Sequence, residues 1–210
     1  MKVELLAVTP DAEAVIERAG RTCYQSQDRI SEISRGDFIR SVIKRGHLSV
    51  IEHAYATFRI TGGSRAMTHQ LVRHRLMAIS QQSQRYVNEE NFHYVIPETI
   101  RDSKLLYEYN AFMEGARQFY LRLQKEGIRN QDARFVLPNA VKSEIVISAN
   151  FREFRHIFNV RCSKHAQWEI REAALLMLEI LKLEAPAVFG DYVIYHEARI
   201  AKSEGVFQWD

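Results

Sequence analysis

Between Leu105 and Leu123 the apolar side chains Leu105, Leu106, Tyr109, Phe112, Met113, Ala116, Phe119, Tyr120 and Leu123 recur at intervals of three and four. A helix places residues so spaced on one face, so Asp102 to Glu126 is expected to form a long helix, ended by Gly127. Its aromatic stripe needs a cover, either the core or another subunit. Two other stretches keep a period of two. Tyr55, Thr57 and Arg59 alternate with Ala56, Phe58 and Ile60, and Val141, Ser143, Ile145, Ile147 and Ala149 stand at every second position. That period belongs to a strand with one buried face. The combination predicts an α+β protein: a small, mainly antiparallel sheet packed by several helices, including a long central helix. The 210 residues suffice for one substantial core, so a single domain over 1–210 is the expectation.

The remaining elements follow from local signals. Val3 to Val8 reads as a strand. Thr9-Pro10-Asp11 has the order of a helix start, with Thr as N-cap and Pro at the first helical position, and that helix runs towards Cys23. A second helix, Ser34 to Arg45, presents Phe38, Ile39, Val42 and Ile43 and stops at Gly46. Gly62-Gly63-Ser64 breaks the first alternating strand, and Ser64 caps a helix that delivers Arg73. Asn88-Glu89-Glu90-Asn91 is a polar loop, and Tyr94 to Pro97 is a short extended piece. Asn130 caps a short helix carrying Arg134 and ending at Pro138. A helix after Asn150 carries Arg161 near its end. The most apolar helix begins near His165 and reaches Leu183, Pro186 forces a break, and Phe189 to Ile200 is expected to be a last helix.

Composition narrows the function classes. The formal charge is only +3, weak for a dedicated nucleic-acid binder. The basic residues are 21 Arg and 8 Lys, a bias that suits phosphate recognition, because the guanidinium fork grips a phosphate with paired donors. No apolar run has membrane-spanning length, and Met1-Lys2-Val3-Glu4 lacks the apolar region of a signal peptide. Two cysteines, Cys23 and Cys162, make no disulfide framework, so a cytoplasmic location is expected. Cys23 reads as packed rather than reactive. Cys162 and His165 are too few for a redox pair or a metal site. His47 and His53 do not have zinc spacing, and no metal is expected.

The densest chemistry lies in Arg73-His74-Arg75-Leu76-Met77-Ala78-Ile79-Ser80-Gln81-Gln82-Ser83-Gln84-Arg85-Tyr86. Three arginines, one histidine, two serines and three glutamines suit an anionic ligand with a polar ring. Ser83 has no base beside it in sequence and is a poor nucleophile; its plain role is a hydroxyl on a phosphate. No Gly-x-Gly-x-x-Gly follows a strand, so a Rossmann dinucleotide site is not expected. The residues alone support an α+β domain with an arginine-rich, nucleotide-like site. A non-enzymatic nucleotide- or RNA-binding module, stacking bases on Tyr86 and Phe92, is the competing reading.

Arg73-His74-Arg75, seven residues, then Ser83 and Gln84-Arg85-Tyr86 resembles the signature of flavin-dependent thymidylate synthases. Arg161 with His165-Ala166-Gln167-Trp168-Glu169-Ile170 resembles a second block of that family, in the expected order. The resemblance implies conversion of dUMP to dTMP with FAD as cofactor, and with NADPH and 5,10-methylenetetrahydrofolate as co-substrates. It implies a homotetramer with sites where subunits meet, and no nucleic-acid or membrane partner. Residue by residue, it implies that His47, Ser49, Arg73, His74, Arg75, Gln81, Asn150, Arg152 and His156 line the FAD. Gln70, Arg73, Gln82, Ser83, Arg85 and Arg134 surround dUMP, and Arg161 faces and activates the uracil. The family's reaction uses no protein nucleophile: hydride reaches C6 of the uracil, and a fixed cation stabilises the charge developing at C5 and O4. Gln81 stands where members often carry Glu, and His156 where Asn can stand.

Overall fold

A computed structural model of the chain describes residues 1–31 and 33–204. They form two compact units. One comprises Met1, Ile60–Arg73 and Ser80–Ile145; the other comprises Lys2–Arg59, His74–Ile79 and the described part of Val146–Asp210. In chain order the elements are β1 (Lys2–Val8), α1 (Ala12–Tyr24), α2 (Ser34–Lys44), β2 (Tyr55–Ser64), α3 (Arg65–Leu71) and β3 (Met77–Gln81). Then come α4 (Glu98–Arg101), α5 (Leu106–Lys125), α6 (Asn130–Ala133), β4 (Lys142–Asn150), α7 (Phe151–Arg161), α8 (Trp168–Glu184), α9 (Pro186–Phe189), β5 (Tyr192–Tyr195) and β6 (Ile200–Ser203). Leu48–His53 makes a 3-10 turn before β2, and Arg134–Val136 another after α6. The four-stranded sheet has the order β1-β2-β4-β3, and β5 and β6 form an antiparallel pair. The class is the expected α+β, with an antiparallel sheet and a long helix.

In the second unit an aromatic core fixes α7. Phe151, Phe154 and Phe158 are fully buried on one face of that helix. Phe154 meets Phe58 edge-on at 5.4 Å, Phe151 meets Phe189 at 5.1 Å, and Phe158 meets Tyr192 at 6.0 Å. Such edge contacts add to the area effect of burying large rings. Arg155 lies on the same buried side. Its two Nη atoms donate to the two carboxylate oxygens of Asp191, each at 2.7 Å, and Nη1 also donates to the Val188 carbonyl. The Tyr192 hydroxyl donates to Asn159 Oδ1 at 2.6 Å. The two-stranded hairpin is thereby tied to α7.

In the first unit α5 is amphipathic but only partly covered. Met113 and Tyr120 are buried, and Met113 packs with Phe92 and Val141. Tyr107, Phe112 and Phe119 remain exposed, Tyr107 at 83%.

Several expectations need correction. Phe189 to Ile200 is not a helix: α9 ends at Phe189, and Tyr192-Val193-Ile194-Tyr195 pairs with Ile200–Ser203. β-branched and aromatic residues fit a pleated surface, and Arg199 takes the left-handed turn, with φ of 50°. Met77–Gln81 is a strand that the sequence reading left unassigned. The first alternating strand runs on through Gly62-Gly63-Ser64, with Gly62 at φ of 78°. Thr9 does not cap α1. Its hydroxyl accepts from the Tyr55 amide at 2.9 Å, and the helix starts after Asp11, which is left-handed. Asn130 is not a cap either; its side-chain oxygen accepts from Gln124 Nε2 at 2.8 Å. The long helix starts at Leu106, because residues 98–101 form the separate α4. Cys23 is exposed rather than packed.

Replacing Arg155 by Met should strand the Asp191 carboxylate and destabilise the protein by about 3 kcal/mol. Urea denaturation of the variant beside the parent measures this; a loss under 1 kcal/mol would show the pair to be dispensable.

Candidate active site

In the second unit the end of β4 turns directly into α7. The Asn150 side chain accepts from the Glu153 amide at 2.8 Å, a side-chain cap on the first turn. While Phe151, Phe154 and Phe158 face the core, Arg152 and His156 stand exposed, one turn apart. Arg161 is the last residue of the helix, and its Nε donates to His74 Nε2 at 2.9 Å. His74 is buried, its Nδ1 lies 3.6 Å from Glu153 Oε1, and its ring meets that of His156 edge-on at 5.6 Å. Burial, with Arg161 and His156 adding to it, lowers the His74 pKa to about 4. The imidazole is therefore neutral near pH 7, and Nε2 offers a lone pair to the guanidinium. Burial also lowers the pKa of Arg161 and raises that of Glu153, the latter opposed by His156.

In the same unit, Arg152 pairs with Glu52, the Tyr24 hydroxyl lies 3.2 Å from His47 Nδ1, and Ser49 and Arg75 are exposed. A partly dehydrated cation oriented by a neutral ring, with exposed guanidinium and imidazole donors on the same helix, suits an electron-rich ring and phosphate oxygens.

The first unit carries a second polar cluster. Ser64 closes β2, and its hydroxyl accepts from the Met67 amide at 3.0 Å, capping α3, the helix that holds Gln70. Arg73 follows directly, its amide donating to the Gln70 carbonyl at 3.3 Å. The Gln82 side-chain amide donates to buried Glu89 at 3.1 Å, and the Glu89 amide donates to the Tyr120 hydroxyl at 3.2 Å. Burial lowers the pKa of Arg65, with Arg134 the next cause, and raises that of Glu89. Two guanidiniums near enough to repel one another suit an anion between them. Gln81 donates to Thr68 Oγ1 at 2.9 Å and Ser143 Oγ at 3.2 Å. The Ser83 hydroxyl accepts from the Arg85 amide at 3.3 Å, and the Arg85 guanidinium lies 5.3 Å from the Tyr86 ring centre.

A family model described as thymidylate synthase complementing protein matches residues 4–187. Over 200 residues the chain is 42% identical to the flavin-dependent thymidylate synthase of Geobacter sulfurreducens, covering 91% of this chain and 86% of that one. The Nitratidesulfovibrio vulgaris protein of the same name is 41% identical over 209 residues, with 90% and 85% covered. That of Pyrococcus furiosus is 44% identical over 171 residues, with 79% and 70% covered. The chain belongs to the flavin-dependent thymidylate synthase family.

The residues that family resemblance singles out fall into two groups. Gln70, Arg73, Gln81, Gln82, Ser83, Arg85 and Arg134 lie in the first unit, and His47, Ser49, His74, Arg75, Asn150, Arg152, His156 and Arg161 in the second. Within the second, His74 and Arg161 come from the two separate signature blocks and are in direct contact. Sequence reasoning missed Arg65, Glu89 and Glu153. Glu89 sat in an acidic stretch taken for a polar loop, yet it is 5% exposed. Glu153 stands three residues after Asn150, a spacing that signals a helix start but not the aim of its carboxyl towards His74. For the base-stacking alternative, Tyr86 is exposed but Phe92 is buried at 4%, so it offers no stacking surface. Burial pushes the Cys162 thiol up to about 12, which removes thiolate chemistry there.

The histidine has a pH signature. Its folded pKa, about 4, lies below the ordinary 6.5. The unfolded chain therefore binds the proton first, and stability is lost as pH falls from about 6.5 towards 4, by an amount on the order of 3 kcal/mol in full. Urea denaturation between pH 7.5 and 4.5 should show this fall, and His74→Gln should flatten it. An unchanged slope in the variant would mean that His74 does not titrate as described.

Proposed function

We infer that this chain catalyses the reductive methylation of dUMP to dTMP, with FAD as cofactor, NADPH as reductant, 5,10-methylenetetrahydrofolate as one-carbon donor and no protein nucleophile. The observation that carries the reading is the 2.9 Å bond between Arg161 and His74, one from each signature block of the family. The donor set fits the cofactor. Arg75 and Arg152 are exposed cations for its phosphates, and His156 presents an exposed imidazole for a polar ring system. When bound, FAD supplies the redox chemistry, taking hydride from the reductant and delivering it to the pyrimidine.

The protein's part is binding, orientation and charge. Arg65 and Arg134 with Ser83, Arg85 and Gln82 hold the nucleotide phosphate and sugar. The Arg161 guanidinium, fixed in plane by His74, presents its Nη donors to O4 and N3 of the uracil and so favours the ring ionised at N3. Because that guanidinium is partly dehydrated, it stabilises the negative charge that develops on the ring more strongly than a solvated cation does. The exposed aromatic face of α5 supports assembly as a homotetramer, with sites built from more than one subunit. Two free cysteines and an arginine-rich small-molecule site support a cytoplasmic location.

Arg161→Ala should bind FAD, visible as the flavin absorption bands, yet slow single-turnover oxidation of reduced flavin by dUMP and methylenetetrahydrofolate by roughly a hundredfold or more. Arg161→Lys should rescue poorly, since a point charge lacks the paired donors. A near-parental rate in Arg161→Ala would return this residue to a helix-end role. Cys23→Ser and Cys162→Ser should both keep dUMP-dependent NADPH oxidation and thymidylate formation. Loss of turnover in a folded, flavin-bearing serine variant would reinstate a cysteine nucleophile.

A further inference from the structure

Glu153 has a buried carboxyl with no part in the chemistry described so far. The side chains of His74 and Glu153 are 4% and 5% exposed, and Nδ1 of the ring lies 3.6 Å from Oε1 of the acid. That separation is long for a hydrogen bond and close for charge–dipole attraction between groups that little water reaches. On the other side of the ring, Nε2 accepts from Arg161 Nε at 2.9 Å. Only one neutral tautomer satisfies both neighbours: Nδ1 carries the hydrogen and faces the acid, and Nε2 carries the lone pair. The opposite tautomer would turn N–H against N–H at Arg161 and a bare lone pair against the carboxyl. The Glu153 backbone is held separately, its amide donating to the Asn150 cap at 2.8 Å, so the carboxyl is not needed to start α7.

We propose that Glu153 is a positioning residue: its carboxyl fixes the tautomer of buried His74, and the imidazole in turn holds the plane of the Arg161 guanidinium. The proposal rests on the reading of Arg161 given above. The arrangement resembles metal sites in which an outer carboxylate orients a ligating histidine, with a guanidinium in the place of the metal. Glu153 touches neither substrate nor cofactor in this role; it acts through two intervening side chains. A purely structural glutamate near a helix N-terminus would contribute to stability through the helix dipole and leave the imidazole tautomer alone.

The test reads the tautomer directly, in ligand-free protein with 15N-labelled histidine at neutral pH, the His74 signals being those lost in His74→Gln. Long-range 1H–15N correlation should show His74 protonated at Nδ1 in the parent. Arg161→Ala, far slower in turnover, should still show Nδ1 protonation, because the acid still faces that nitrogen. Adding Glu153→Leu to Arg161→Ala removes the acceptor as well and should give a mixture with the Nε2-protonated form. In the parent background Glu153→Leu should lower kcat about tenfold with the flavin absorption retained, and Glu153→Gln, which keeps a carbonyl oxygen, should restore most of the rate. A mixed tautomer in Arg161→Ala overturns the proposal, as does one unchanged tautomer in the double variant. The first arm decides the matter even if Glu153→Leu does not fold. A parent protein that shows the tautomer but forms no thymidylate would refute the functional reading instead.

Discussion

Each unit depends on a strand that becomes a helix without an intervening loop, closed by the strand's own last side chain. Ser64 does this at the end of β2 and Asn150 at the end of β4, each oxygen accepting an amide three residues on. Such a cap is worth about 1 kcal/mol, a modest sum, but its geometric effect is larger. A loop would let the helix axis wander; a capped, loopless junction makes the strand direction determine it. The side chains that the family resemblance singles out then ride on those axes: Gln70 on α3, with Arg73 just beyond it, and Arg152, His156 and Arg161 on α7.

The charges divide by how they are balanced. Arg155 is deeply buried, yet its pKa is raised, because the Asp191 carboxylate more than offsets the loss of water. The pKa values of Arg65 and Arg161 shift the other way, with burial the largest cause. A buried cation matched by a carboxylate keeps its proton more firmly, whereas one whose loss of water dominates holds it less firmly. Burial acts on His74 in the same direction, keeping its ring neutral so that it can accept from an arginine.

Much of this was legible in the chain. The alternation in Tyr55–Ile60 and Val141–Ala149 became strands with alternating burial, and Ser64 capped its helix as read. The two signature blocks pointed to His74 and Arg161 separately, but nothing in sequence could give their contact across 87 positions. The hairpin is hard to read because the apolar run Tyr192–Tyr195 is too short to show a period, and its partner strand is as short. β3 was hidden inside a stretch chosen for its polar chemistry. Glu89 and Glu153 looked like surface acids, because burial of a carboxylate depends on tertiary neighbours that leave no local mark.

α7 keeps its core-anchoring residues and its exposed cationic and imidazole side chains on different sides of one cylinder. Phe151, Phe154, Arg155 and Phe158 are buried on one side, and Arg152 and His156 stand exposed on the other. Mutational drift on the outward side is thus uncoupled from folding, since substituting an exposed side chain costs the core little. Ligand contacts can be retuned there one residue at a time without a compensating change inside.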